Sequence, residues 1–224
     1  MNFSLKQKRN AASVCCLTVA FVIFAQGARP VLAQRRNSAQ ANNESAALLR
    51  EAAGLLQAGR PDAAEPVVRR ALNLAPENAD AHNLLGAILD QKGQSPEAER
   101  EYRAALRLNP KSAGAHANLG VLLARTHRLL EAVQAFESAL RLAPNHPQAS
   151  FNLGLTLYQL NRLDDAARAL EVAAKVSPGR PEPLYYLGLI ASARGRSDAA
   201  IDYFRRTLAL DERFAETNFM LAEE

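Results

Sequence analysis

Four prolines, Pro76, Pro110, Pro144 and Pro178, stand 34 residues apart, and that spacing constrains the fold of this 224-residue chain more than any other feature. Other rows keep the same phase. Leu85-Gly86, Leu119-Gly120, Leu153-Gly154 and Leu187-Gly188 form one row, and Ala64, Ala98, Ala132, Ala166 and Ala200 a second. Val68, Tyr102, Phe136, Leu170 and Phe204 make a third, and Ala71, Ala105, Ala139 and Ala173 a fourth. A period of this length marks stacked units, each too small to bury its own apolar face. Abundant alanine and leucine, with few glycines and no tryptophan, make those units helical.

Counted back from the prolines, the units begin at Ser45, Ala79, Ala113, Pro147 and Pro181, each with room for two helices of about 13 residues. The glycine and alanine rows suit places where two helix backbones approach closely. The Tyr/Phe/Leu row fills the space beyond them. Proline at the end of a unit cannot continue a helix and forces a turn. Gly59, Gly93 and Gly195 mark the bend inside the unit, and Ser95 followed by Pro96 reads as a hydroxyl cap with proline in the first turn.

These rows resemble the tetratricopeptide repeat family, whose consensus runs Leu-Gly, Ala, aromatic, Ala, Pro. The resemblance covers residues 45–214 and implies an all-α right-handed solenoid of five helix-turn-helix repeats. They fall at 45–78, 79–112, 113–146, 147–180 and 181–214. The end units depart from the pattern: Glu51-Ala52 stands for Leu-Gly, and Thr207 and Glu212 stand for Ala and Pro. Residues 215–224 begin another first helix, with Leu221 and Ala222 in the Leu-Gly places. Such a partial helix caps the stack incompletely, so self-association through the C-terminal repeat is an expectation.

The N-terminal stretch follows a different grammar. Lys6, Lys8 and Arg9 precede an apolar run at residues 11–25, and Val31 and Ala33 offer small residues before a cut at Gln34. This reads as a signal peptide over residues 1–33, which predicts a periplasmic or secreted protein. The alternative is a retained anchor. Fifteen apolar residues give a helix of about 22 Å against a hydrocarbon core of ~30 Å, and Arg29-Pro30 hinders its extension. Membrane association is expected only if this leader is kept. Residues 34–44, polar and without an apolar period, read as a flexible linker. The formal charge of +4 resides entirely in the leader; beyond it 23 basic groups balance 23 acidic ones. That removes the bulk electrostatic case for nucleic acid.

No catalytic constellation is present in the pattern. Both cysteines, Cys15 and Cys16, lie in the leader, which leaves the repeats without a disulfide, thiolate metal site or cysteine nucleophile. His82 and His116 share the fourth place of consecutive units, a packing place, and their spacing is that of the repeat rather than of a helical metal pair. His127 and His146 fall in turns. Asp164-Asp165 precedes a helix, where acids suit the positive end of its dipole. The expectation is a protein with no enzymatic activity, no metal and no cofactor.

What remains is a concave face. The family resemblance implies that the second, fifth, sixth, ninth, twelfth and thirteenth places of each first helix face a ligand. Asn83 and Arg125 occupy such places, as do Asn118 and Asn152, which share the sixth place of adjacent units. A carboxamide both donates and accepts, so it can pair with peptide backbone of any sequence. This is similar to the asparagine ladder of O-linked N-acetylglucosamine transferases, interrupted here by Leu84 and Tyr186; local hydrogen bonding is the other reading of the two asparagines. Phe151, Tyr158, Tyr185 and Tyr186 gather in the first helices of the last two units and are candidate anchors, packing being the alternative for some of them. Only Arg50 and Arg125 offer cations, too few for the family's carboxylate clamp. The resemblance therefore implies an exported scaffold or adaptor that holds a protein or peptide ligand. The alternatives are a targeting arm for a separate catalytic partner, such as a glycosyltransferase, and a membrane-tethered assembly factor.

Overall fold

A computed structural model describes residues 40–212 and 214. The expected signal peptide, most of the linker and the partial helix at 215–224 lie outside the described residues. Among those described there are ten helices and no strand: α1 (40–57), α2 (Pro61–Leu74), α3 (Ala79–Gln91), α4 (Ser95–Leu108), α5 (Ala113–Arg125), α6 (Leu129–Leu142), α7 (Pro147–Gln159), α8 (Leu163–Val176), α9 (Glu182–Ser192) and α10 (Ser197–Leu210). They form five antiparallel pairs stacked as a solenoid. The mates of the last four pairs pack on one another, α2, α4, α6 and α8 each pack on the first helix of the next pair, and α5 also touches α3 and α7 directly.

The register between pair mates explains the sequence rows. Gly86, Gly120, Gly154 and Gly188 lie on first helices, each against the residue 16 places later on its mate. A Cβ added at Gly86 would stand 2.7 Å from the Tyr102 ring, at Gly120 2.6 Å from Phe136, and at Gly154 2.6 Å from Leu170. The approach of Gly188 to Phe204 is closer still. The side chains at 102, 136, 170 and 204 are all essentially buried. The first pair keeps the register with the sizes exchanged: Ala52 occupies the glycine place and Val68, a smaller side chain, the ring place, both fully buried. The departure of the first unit from the pattern is thus a volume-conserving swap. Thr207, which stands for alanine in the fifth, is also buried and donates its hydroxyl to the Tyr203 carbonyl at 2.9 Å.

Two local expectations are corrected. Residues 40–44 belong to helix α1 rather than to a linker. Ala41, partly buried, starts the stripe continued by Ser45, Leu48 and Ala52, and the buried Ser45 hydroxyl donates to the Ala71 carbonyl at 3.1 Å. Ser95 is not a cap either. It lies inside the first turn of α4, behind the cap residue Gln94, and its hydroxyl instead accepts from the Arg125 guanidinium at 3.3 Å. Three first helices do carry side-chain caps: Asn78 accepts from Asp80 and Ala81, Ser112 from Ala115, and His146 through Nδ1 from Ala149.

The bend inside each pair has one residue in the left-handed region. Gly59, Gly93 and Gly195 take φ of 70°, 78° and 64°, and the same place holds His127 at 59° and Asn161 at 56°. Asparagine tolerates this region, whereas an ordinary side chain is strained there by about 1–2 kcal/mol. His127 is exposed and its ring bonds to no described residue. His127→Gly is therefore expected to raise stability by about 0.5–1 kcal/mol after glycine's greater chain entropy is deducted, and Asn161→Gly by less. Urea denaturation of the two variants beside the parent measures both.

Candidate functional site

The first helices α3, α5, α7 and α9 share a face, and three of its cross-unit contacts follow one rule. Asn118 Nδ2 donates to Asn83 Oδ1 at 3.1 Å, Arg125 pairs with Asp90, and the Phe151 ring lies 6.2 Å from that of Tyr186, centroid to centroid. Each pair is 35 residues apart, one more than the repeat. Successive first helices are therefore offset, and the fifth or twelfth place of one meets the sixth or thirteenth of the next. The asparagines do not form a straight ladder. Asn118 pairs with Asn83, and the same offset sets Ala117, which has no polar side-chain atom, across from Asn152. The Asn152 carboxamide is part-buried and bonds to no described side chain.

Arg125 is held by the Asp90 carboxylate and by Ser95, so it is committed within the protein. Burial raises the Asp90 carboxyl above its ordinary range, with Arg125 pulling the other way. The four expected anchors divide. Phe151, Tyr158 and Tyr186 are half-buried and form a shelf between α7 and α9, with Tyr186 5.6 Å from Tyr158 and nearly edge-on to it. Tyr185 is a correction: it is 8 % exposed, with its ring 5.1 Å from Phe214, 6.2 Å from Phe204 and 5.5 Å from Tyr186. It supports the shelf from behind and presents no ring to a ligand.

One participant escaped the sequence reading. The Arg180 guanidinium caps the Phe151 ring at 5.0 Å from its centroid and bonds to Glu182 at 3.1 Å. It lies in the turn before α9, outside the first-helix places. The histidines of the fourth place serve the turns: His82 Nε2 donates to the Pro76 carbonyl at 3.0 Å and its Nδ1 lies 2.7 Å from Glu101, while His116 Nε2 donates to the Pro110 carbonyl at 3.1 Å. Among the described residues no three or more His, Cys, Asp or Glu side chains gather where they could hold a metal ion. No helix among them is long and apolar enough to cross a membrane.

The family model described as tetratricopeptide repeat matches residues 49–102, 88–147, 119–181 and 151–213. The chain belongs to the tetratricopeptide repeat family. Solved structures share the tetratricopeptide architecture. Pseudomonas aeruginosa pilF is 25% identical, with a TM-score of 0.71 over 82% of this chain and 90% of that one. MamA is 24% identical, with a TM-score of 0.66 over 74% and 96%. YrrB, a TPR protein with an unusual peptide-binding site, is 20% identical with a TM-score of 0.64 over 77% and 89%. No curated protein matches in sequence.

Proposed function

We propose that this tetratricopeptide repeat protein is a non-catalytic scaffold, which holds a polypeptide segment of a protein partner on the face built by its first helices. The observation that carries this reading is the shelf of Phe151, Tyr158 and Tyr186 beside an Asn152 carboxamide left without a described partner. Half-buried rings with polar tips are what interfaces use as anchors, and a carboxamide can take either a donor or an acceptor of peptide backbone. YrrB, which shares the architecture, lends this use of the fold a precedent. The basic and apolar leader supports a site of action outside the cytoplasm.

Affinity capture with the full chain from the exported fraction tests the reading. An Asn152→Ala/Tyr158→Ala version and an Arg205→Ala version, altered on an exposed second-helix position, run beside it. A partner is expected on the parent and on Arg205→Ala, with at least about tenfold less on the double variant. Equal retention by all three places the site elsewhere and ends the groove assignment. Enzymatic activity in the captured partner would make the scaffold a targeting arm. The mass of the recovered chain, starting at Gln34 or at Met1, distinguishes a cleaved leader from a retained anchor.

A further inference from the structure

We propose that the segment held on the shelf is proline-rich and bound in the polyproline II conformation; this deepens the groove reading and rests on it. Phe151 and Tyr158 are seven residues apart on α7, which puts them about 10 Å apart along the helix axis. Tyr186 reaches in from α9 to within 6.2 Å of one ring and 5.6 Å of the other, so the three rings form one continuous strip along that length. A polyproline II segment repeats every three residues at 3.1 Å each, bringing residues i and i+3 to the same side about 9 Å apart. That matches the shelf. A β-strand sets same-side residues about 7 or 13 Å apart and matches less well.

An α-helical ligand also repeats near 10 Å, every seven residues, but its carbonyls are spent on its own hydrogen bonds. The shelf has donors to satisfy: the Asn152 amide and the Tyr158 hydroxyl bond to no described residue. Polyproline II leaves every backbone carbonyl open to them, and proline rings stack well on aromatic faces. Charge points the same way. Arg180 over Phe151 is neutralised by Glu182, and Arg125 further along the face by Asp90, so the shelf offers no uncompensated charge to a charged ligand.

Fluorescence anisotropy decides the matter, with the full-length chain titrated against three labelled, uncharged peptides of equal length. One is an Ala-Pro-Pro repeat, one an amphipathic helix former and one a Thr-Val alternation. The proline peptide is expected to bind best, with Tyr158→Ala and Asn152→Ala each weakening it, the tyrosine change by about tenfold. Raising salt from about 50 to about 500 mM is expected to change its affinity less than about twofold, since no net charge is screened. Circular dichroism melting shows that each variant is folded before its affinity is read. Tight binding of the helical or alternating peptide, lost on Tyr158→Ala, overturns the polyproline assignment and keeps the groove. Proline-peptide binding indifferent to both variants overturns the shelf as its site. No binding of any peptide, together with equal capture of a cellular partner by parent and double variant, overturns the groove reading as well.

Discussion

Phe136→Ala is expected to cost about 3–5 kcal/mol, the largest loss of any single truncation in the stack. The ring is fully buried between α5 and α6 in the middle pair, so close to Gly120 that a Cβ there would overlap it. Truncation removes the ring's transfer energy and leaves a void that neither helix can close, because their spacing is set by neighbouring pairs on both sides. With total stabilities near 5–15 kcal/mol for a domain, such a loss takes a large share of the whole. In a linear array it also separates the pairs before it from those after it. Urea unfolding followed by circular dichroism is expected to show a much lower midpoint and a broadened or split transition. A loss under about 1 kcal/mol would mean that the pair relaxes around the void and that the ring row is not the core.

The second large effect is a coupling. Gly120→Ala is expected to destabilise by about 1–3 kcal/mol, since its new Cβ would meet the Phe136 ring at 2.6 Å and force it off its position. Better helix propensity, worth up to about 1 kcal/mol, offsets only part of this. The first pair shows the remedy, with Ala52 at the glycine place and Val68 at the ring place. Gly120→Ala/Phe136→Val should therefore be more stable than the sum of its two single changes, by about 0.5–3 kcal/mol. A four-way cycle in urea measures the coupling. Additive costs would show that glycine and ring do not set each other's size.

The same comparison shows what a sequence displays and what it hides. Proline spacing and the glycine, alanine and ring rows disclose the stack because each row serves a contact inside one unit, repeated in phase. Contacts between units do not keep that phase. The offset of successive first helices moves them to 35 residues, so Asn118 pairs with Asn83 rather than aligning with Asn152. Complementary pairs one residue out of phase, such as Asp90 with Arg125, were the available signal. Tyr185 and Tyr186 are adjacent in the chain, yet one is buried and the other lies on the shelf. Which is which depends on Phe204 and Phe214 closing over the first, a tertiary fact. Arg180 was hidden because it enters the shelf from a turn, where no helical place rule applies.

Among the described residues, the helices in appreciable contact are pair mates or members of adjacent pairs, so their contacts span little more than one unit of chain. Contact order is therefore low, and the entropy lost in closing each loop is small and nearly the same for every pair. Folding has no single obligatory nucleus and can start at any well-packed pair, then spread outward. In a chain that folds from its N-terminal end, a pair docks on the one before it as soon as its second helix is free. The growing end then exposes one pair's apolar face at a time, which keeps the folding chain's aggregation-prone surface small.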